Sequence, residues 1–400
     1  MVKPVSSDEL AALAGEAREK WNVPGIAVGL LREGIPVTAG DGVAPDDVFR
    51  IASVTKPFAA TLASSLADEG LLDLDAPPAG TQVAATVRQL LSHQGGLACE
   101  WPGSLEEFGE DDEALLRLAA AQPRLLPFAP GELFSYSNVG FWLVGAAIAR
   151  ASRTTFEEAV RIRVLAPLGL ESTAFEAESP VPGYVQVAPG ADEHRRFDGG
   201  YPRVRRPSGG LWSSVPDLLR FAESQFERRE LQRPLISGPR FAHGLGWFLR
   251  ERGGRASIEH PGSAAGYQAL LVLIPEERLA FAALTNSTRG VAAITDLLDR
   301  LELATTAHDF PLDPEQLAAF AGRYEAPGVR LELITDRDGL RLEYSEKDPF
   351  RREWDAYPPA RLRPVGEREF ELADGEWRGQ QLGFPRDGVV SFGIAAQRVR

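Results

Sequence analysis

The chain has 400 residues, of which 44% are apolar and 25% charged, proportions typical of globular proteins. Its 43 basic and 57 acidic residues give a formal net charge of −14, which argues against a nucleic-acid backbone or an anionic membrane as partner. The single cysteine, Cys99, excludes an intrachain disulfide and a multi-cysteine metal site. Only four lysines and three asparagines occur, so one at a chemically meaningful spacing is more informative than usual.

Apolar periodicity predicts the elements of the long first part of the chain, up to residue 305. The predicted helices cover residues 7–20, 57–70, 86–92, 113–121, 139–151 and 291–303. The predicted strands cover 25–31, 34–38, 269–274 and 279–285, the last two as an antiparallel pair. Pro57 falls in the first turn of its helix, where a missing N–H costs nothing.

The composition changes at a proline-containing connector over residues 307–314. Beyond it, segments with alternating polar and apolar residues are separated by turns, which predicts a small all-β module. The predicted domains are therefore residues 1–306, a linker at 307–314, and a second domain over 315–400.

The first chemical motif is Ser53 with Lys56, three residues apart at the start of a predicted helix. Residues i and i+3 of a helix share a face, so the lysine amine can reach the serine hydroxyl. The helix N-terminus also presents free N–H groups that suit an anionic intermediate. The alternative interpretation is a serine helix cap followed by a solvated lysine.

Two further motifs follow along the chain. Tyr136 and Asn138, two residues apart before the apolar helix 139–151, can both point into a cleft from one extended loop. His260, Gly262 and Ser263 precede the predicted strand pair, and a glycine on a strand lets a ligand approach the backbone closely. A buried tyrosine with an asparagine cap, and a plain turn with a structural histidine, are the alternatives.

The order and spacing of the three motifs resemble the serine β-lactamase and penicillin-binding-protein superfamily. The resemblance is to its class C-like branch, which holds D-alanyl-D-alanine carboxypeptidases, D-aminopeptidases and family VIII carboxylesterases. That branch shows Ser-x-x-Lys, Tyr-x-Asn and either Lys-Thr-Gly or His-x-Gly in this order. Further segments that look like landmarks of the family lie at 49–52, 90–97, 207–214 and 243–247. The resemblance covers residues 7–305.

The resemblance implies an α+β (α/β) fold class. An antiparallel sheet is expected with helices on its faces and an all-helical subdomain beside it. The module from residue 315 onward is similar to the small lipocalin-like antiparallel β-barrels that some members have at the C-terminus.

By the same resemblance, Ser53 is the nucleophile that forms an acyl-enzyme, and Lys56 or Tyr136 takes its proton. Backbone N–H groups of Ser53 and Ser263 are expected to form the oxyanion hole. Asn138 is expected to hold a substrate carbonyl or the lysine amine, and His260 to face the leaving group. No cofactor and no metal ion is expected.

Two residues near these motifs are expected to have no chemical role. His93 lies in a landmark segment, and the resemblance makes it a packing or hydrogen-bonding residue instead of an acid or base. Cys99 is expected to be inert, because nothing in the sequence places a histidine partner for it.

The third motif separates this chain from class C β-lactamases. A histidine at position 260 is charged only around or below pH ~6.5, whereas Lys-Thr-Gly provides a permanent cation for a substrate carboxylate. Efficient turnover of β-lactams is therefore not expected, whereas His-x-Gly occurs both in D-peptidases and in family VIII esterases and does not choose between them. Because the first residues lack the apolar core of a signal peptide and peptidoglycan peptides lie outside the cytoplasm, the expected activity is hydrolysis of small carboxylic esters or amides. The expected partner is a small molecule, with no nucleic acid and no membrane.

Alternatives remain open for the substrate, the location and the assembly. A D-amino-acid peptidase, D-aminopeptidase or D-Ala-D-Ala carboxypeptidase acting on a D-peptide is the main one. An acyltransferase, an efficient β-lactamase and an inactive binding relative are less favoured. The first residues lack the apolar core of a signal peptide, so a cytoplasmic location is expected, and assembly into a homo-oligomer is left open.

Overall fold

The computed structural model describes residues 5–188, 191–197, 199–238, 240–305, 309–337, 339–347, 354–375 and 377–399. Within these ranges, no helix is both long and apolar enough to cross a membrane. The predicted end of the first domain and the first residues of the predicted linker fall on 306–308, which lie outside the described residues.

All six helices predicted from periodicity form, with ends that shift by a few residues. The α-helices of the described residues are α1 (Ser7–Trp21), α2 (Thr55–Asp68), α3 (Val87–Leu91), α4 (Ala114–Ala120), α5 (Asn138–Ser152), α6 (Phe156–Val160), α7 (Ala166–Leu168), α8 (Arg206–Gly209), α9 (Val215–Gln225), α10 (Gly290–Arg300) and α11 (Pro314–Phe320). α5 begins where the Ser137 side chain accepts a hydrogen bond from the Gly140 N–H, which satisfies one of the free donors of the first turn.

The strands of the first part of the chain are β1 (Ile26–Arg32), β2 (Ile35–Asp41), β3 (Phe49–Arg50), β4 (Gly183–Gln186), β5 (His194–Phe197), β6 (Trp212–Ser213), β7 (Ile236–Gly238), β8 (Phe241–His243), β9 (Phe248–Arg252), β10 (Arg255–Ala264), β11 (Tyr267–Ile274) and β12 (Leu279–Thr285). Eight of them form one antiparallel sheet in the order β2-β1-β12-β11-β10-β9-β8-β7. β3 pairs with β6, and β4 with β5.

Both faces of this sheet are covered, which explains why every residue of β11 and β12 is buried and why most of them are apolar. α1 and α10 pack on one face and close a small apolar core with β1 and β12. The larger core lies on the other face, where α9 contacts the sheet and the buried residues of α2 and α5 belong to the same cluster. The predicted strand pair 269–274 and 279–285 is confirmed.

The C-terminal part forms a closed eight-stranded antiparallel barrel, as predicted, with one additional short strand, β16, at its edge. Its strands are β13 (Gly322–Ala326), β14 (Val329–Asp336), β15 (Gly339–Lys347), β16 (Trp354–Ala356), β17 (Ala360–Gly366), β18 (Glu369–Leu372), β19 (Gln381–Arg386), β20 (Val389–Phe392) and β21 (Ile394–Val399). β14 pairs with both β13 and β15, which closes the ring. The alternating residues of β14 and β15 point their apolar side chains into the barrel core.

The barrel contacts the loop that leads into α5. The Tyr136 N–H donates to the Gly393 carbonyl at 3.0 Å, and the Ala395 N–H donates to Ser135 Oγ at 3.3 Å. A small apolar cluster joins Leu126 and Phe128 to residues of β20 and β21. The turn between β20 and β21 is therefore attached to the backbone of Tyr136.

Candidate active site

Ser53 lies in a short 3₁₀ turn, Ala52–Val54, between β3 and the first residue of α2. The preceding residue, Ala52, has φ +47°, a left-handed conformation that costs a non-glycine residue about 1–2 kcal/mol. Ser53, on this sharp turn, lines a cleft of about 2020 Å³. Lys56 follows one turn later, and its Nζ lies 3.0 Å from Ser53 Oγ.

The Lys56 amine is completely buried, and besides Ser53 Oγ it lies within hydrogen-bond distance of two further oxygens. Nζ lies 2.8 Å from Asn138 Oδ1 and 2.7 Å from the Ser208 carbonyl oxygen. Both of these oxygens can only accept, so they take the two hydrogens of a neutral amine and leave its lone pair toward the Ser53 hydroxyl. Burial lowers the pKa of Lys56 to about 7, because the charged form loses its hydration.

Asn138 is oriented by two residues that the sequence analysis missed. Its Nδ2 donates to Glu100 Oε1 at 2.6 Å, and the same carboxylate oxygen accepts from Arg205 Nη2 at 2.8 Å. Since a carboxylate only accepts, Glu100 requires the Asn138 amide nitrogen on its side and turns Oδ1 toward Lys56. The available signals were weak: Glu100 follows Cys99 directly, and Arg205 precedes the landmark segment 207–214.

Tyr136 lies on the other side of the lysine. Its ring centroid is 4.7 Å from Lys56 Nζ, and its phenol forms a hydrogen bond with Ser53. Burial raises the pKa of Tyr136 well above its ordinary value, although the hydrogen bond with Ser53 acts in the opposite direction. The phenol therefore keeps its proton at neutral pH, while the neighbouring amine can lose one.

The third motif lies on β10, beside the cleft. Pro261 and Ser263 are exposed there, and Ser263 pairs with Gln268 of β11. A Cβ at Gly262 would lie 2.2 Å from the Ile51 carbonyl oxygen. Gly262 is thus required for β10 to pack against the segment that precedes Ser53.

The expectation that His260 faces the leaving group is corrected by its position. Its side chain is wholly buried, because successive residues of a strand point to opposite faces and Pro261 and Ser263 occupy the cleft side. The His260 ring lies behind the cleft, with its centroid 6.4 Å from that of Tyr136. Burial lowers the pKa of His260 well below its ordinary value, so its ring is neutral at pH 7.

His93 and Cys99 occupy positions that agree with their predicted inertness. Burial lowers the pKa of His93 well below its ordinary range, and its ring stacks on Tyr136 with centroids 4.1 Å apart. Burial raises the pKa of the Cys99 thiol to about 12. Neither group is therefore equipped to exchange a proton with Ser53 or to act as a nucleophile at neutral pH.

The predicted residues come together at the cleft, with His260 behind it. Ser53, Tyr136, Asn138 and Ser263 all line the cleft. The barrel also contributes residues to the lining of this cleft, among them Tyr344, Glu346, Trp377 and Phe392.

A comparison with family models matches residues 10–305 to the family described as Beta-lactamase. The chain belongs to the Beta-lactamase family. The predicted superfamily and fold class are confirmed, and the chain is an enzyme of the serine hydrolase type. The match ends before the barrel begins, so the family accounts for the sheet, its helices and the Ser53 cleft.

Curated relatives of this Beta-lactamase family member have several different activities in their names. Penicillin-binding protein 4 of Amycolatopsis lactamdurans is 27% identical over 76% of this chain and 90% of its own. D-aminopeptidase of Gluconobacter oxydans is 24% identical over 84% of this chain and 70% of its own. Esterase EstB of Burkholderia gladioli is 33% identical, over 46% of this chain and 59% of its own.

Solved structures extend the similarity to the barrel. The crystal structure of SurE superposes with a TM-score of 0.73 at 26% identity, covering 98% of this chain and 99% of that one. A D-stereospecific amidohydrolase from Streptomyces sp. covers 70% of this chain and 94% of its own, with a TM-score of 0.59 and 26% identity. A protein of known structure is therefore similar to this chain over both the sheet domain and the barrel.

Proposed function

We propose that this protein hydrolyses small neutral carboxylic esters through an acyl-enzyme on Ser53. The observation that supports this most directly is the Lys56 amine, which is buried, lies 3.0 Å from Ser53 Oγ and has a pKa lowered to about 7. A base with a pKa near the working pH is the most efficient one for taking a proton from a serine hydroxyl.

In the proposed first step, Ser53 Oγ attacks the ester carbonyl carbon while its proton passes to Lys56 Nζ. The negative charge that develops on the carbonyl oxygen is stabilised by the N–H groups of Ser53 and Ser263. The carbon–oxygen bond to the alcohol then breaks, and the departing oxygen takes a proton from the Tyr136 phenol, which the Lys56 ammonium re-protonates. A water molecule releases the acid from Ser53 by the same steps in reverse order.

The β10 wall of the cleft supports a neutral substrate. Its exposed residues are Pro261, which has no hydrogen-bond donor, and Ser263, whose hydroxyl accepts from Gln268 at 2.9 Å. His260 is neutral and buried behind them. A substrate carboxylate therefore finds no positively charged side chain at positions 260–263 of β10, which disfavours β-lactams and C-terminal carboxypeptidase substrates.

Hydrolysis of D-amino-acid amides is the second candidate function. It is favoured by the D-aminopeptidase relative, whose alignment spans 84% of this chain, and by the similarity to a D-stereospecific amidohydrolase. Such a substrate also lacks a carboxylate at the scissile group. The same Ser53, Lys56 and Tyr136 would perform the chemistry, so substrate preference has to separate the two candidates.

The test measures turnover of p-nitrophenyl acetate and butyrate beside D-alanine p-nitroanilide. We expect faster turnover of the esters, and we expect Ser53→Ala to reduce kcat by roughly 10³-fold or more. A fluorophosphonate should add to Ser53, as seen by intact mass and peptide mapping. Preference for the D-anilide would select the second candidate, and unchanged turnover in Ser53→Ala would refute both.

Ser65→Ala is the matched control. Ser65 lies on α2, the helix that follows Ser53, about three turns further along the chain, and it is only partly buried. We expect its removal to leave kcat within about twofold of the parent protein, because surface substitutions of this kind change little.

A further inference from the structure

Three histidines from separate segments meet in the interior behind Tyr136. His93 follows α3, His243 ends β8, and His260 lies on β10. Their side chains are at most 1% exposed, and ring nitrogens of the three lie within 4.8 Å of one another. We refer to these three residues as the histidine cluster.

Backbone contacts fix which nitrogen of each ring has the hydrogen. His93 Nδ1 accepts from the Ser137 N–H at 3.0 Å, so the hydrogen of this neutral ring is on Nε2. His243 Nδ1 and His260 Nδ1 face the carbonyl oxygens of Gly244 and Pro261 at 2.8 and 2.7 Å. Because a carbonyl can only accept, both of these Nδ1 atoms have a hydrogen and both Nε2 atoms have a lone pair.

The cluster thus presents one donor and two acceptors to a common space. Among the residues that the structure describes, none bonds to Nε2 of His93, His243 or His260. A buried polar atom without a partner destabilises the folded protein, because it has lost its hydrogen bonds to water. Such groups are ordinarily satisfied by a buried water with about three hydrogen bonds.

A water molecule has the hydrogen-bonding capacity that this space requires. It can accept from His93 Nε2–H and donate to the other two Nε2 atoms. A point between three nitrogens that lie within 4.8 Å of one another is no more than about 2.8 Å from each, which is within hydrogen-bond reach. A zinc ion needs lone pairs from every ligand at about 2.0–2.1 Å, whereas His93 presents a hydrogen. We propose that the histidine cluster is a binding site for one internal water molecule, which links His243 and His260 to His93.

The histidine cluster, once linked by the water, also positions Tyr136. The importance of this for turnover rests on the proposed function, in which the Tyr136 phenol donates a proton. His93 accepts from the backbone on both sides of Tyr136, from the Ser135 N–H through its carbonyl at 2.9 Å and from the Ser137 N–H through Nδ1. Its ring stacks on the Tyr136 ring. His93 is therefore a positioning residue for Tyr136, and the water fixes the orientation of His93.

The first test is a crystal structure at about 1.2 Å resolution or better, with data also collected at the zinc absorption edge. We expect a single peak roughly 2.8 Å from the three Nε2 atoms, without anomalous signal. A metal peak at about 2 Å, or rings in direct contact with no peak, would overturn the proposal. This measurement does not depend on turnover, so it stands apart from any failure of the proposed function.

The second test compares two substitutions at His243. His243→Phe keeps a ring but removes one acceptor, and we expect kcat to fall roughly tenfold with KM unchanged. His243→Gln places an amide oxygen near the original Nε2 position, and we expect it to recover most of kcat. Equal kcat in the parent and His243→Phe, or equal losses in the two variants at similar melting temperatures, would refute the positioning role.

Discussion

Lys56 shows how burial and hydrogen bonding together produce a reactive side chain. Burial lowers its pKa to about 7, and the two acceptor-only oxygens of Asn138 and Ser208 orient the neutral amine toward Ser53. Tyr136 has the opposite shift, since burial raises the pKa of a phenol. The structure thus favours Lys56 over Tyr136 as the base in the unbound protein, a choice that residue types alone leave open.

The pH dependence of kcat/KM should therefore report Lys56. The reactive form is the neutral amine, so kcat/KM should be low in acid, rise tenfold per pH unit as the pH increases, and level off above pH 7, the pKa to which burial lowers Lys56. Tyr136→Phe should lower the plateau without moving the midpoint. A midpoint near the ordinary lysine value, or its loss in Tyr136→Phe, would contradict this assignment.

The charge of Glu100 should affect the pH at the midpoint of the kcat/KM profile. Its negative charge raises the pKa of Lys56, although less than burial lowers it, so Glu100→Gln should move the midpoint to lower pH by about one unit. The measurement is the same pH profile. Glu106→Gln, which removes a charge from the rim of the same cleft, is the control and should leave the midpoint in place; a shift to higher pH in Glu100→Gln would refute the argument.

β10 brings the third motif to Ser53 by close backbone packing. Gly262 lies against the Ile51 carbonyl, two residues before Ser53, while the register with β11 places Ser263 beside Gln268. The distance between the expected oxyanion donors, the N–H groups of Ser53 and Ser263, thus depends on how closely β10 approaches the turn that contains Ser53. Positioning errors of about 1 Å can cost on the order of 100-fold in rate.

The substitution Gly262→Ala should move β10 away from the segment that precedes Ser53. The new Cβ would lie 2.2 Å from the Ile51 oxygen, so β10 has to move outward and kcat should fall on the order of 100-fold. Acylation by a fluorophosphonate should slow in parallel. Gly254→Ala is the control, in the turn of the same hairpin and with nothing within 4 Å of its Cβ. Because its φ is +74°, alanine should cost about 1–2 kcal/mol of stability there but should retain kcat; equal rates in both variants would exclude this role for Gly262.

The barrel and the hydrolase sheet form one cleft between them. The cleft is lined by Ser53 and Tyr136 from one side and by Tyr344, Trp377 and Phe392 from the other. The Gly393 carbonyl accepts from the Tyr136 N–H, so the barrel also supports the backbone of a predicted catalytic residue. The barrel is thus part of the candidate active site. The alternation of polar and apolar residues in its sequence predicted the strands but could not indicate this contact.

Gly393→Ala tests this support. Gly393 has φ +74°, where alanine costs about 1–2 kcal/mol, and relief of that strain should displace the carbonyl that holds Tyr136. We expect kcat to fall about tenfold. Gly388→Ala, at φ +71° in the turn between β19 and β20, should lose similar stability in thermal unfolding but keep its kcat. Equal kcat values in the two variants would refute the coupling.

Much of the fold follows from local pattern. The predicted helices and the pair β11–β12 form because their apolar residues repeat at helical or strand spacing, and the barrel strands β14 and β15 alternate as expected. β7 to β10 were not predicted, because their polar and charged residues, such as Arg252 and Glu259, conceal the strand period. These two side chains are buried as an ion pair with Nε and Oε2 at 2.7 Å, a pairing that only the folded sheet creates.

The sequence by itself predicted the candidate catalytic residues and the fold family, because Ser53–Lys56 and Tyr136–Asn138 are local spacings that one helix turn or one loop can satisfy. Only the tertiary structure decided that His260 lies behind the cleft, that Glu100 and Arg205 orient Asn138, and that the barrel supports Tyr136. Those contacts join residues far apart in the chain. The protonation of Lys56 likewise depends on its burial. Its lowered pKa therefore follows from the tertiary structure and cannot be deduced from the sequence alone.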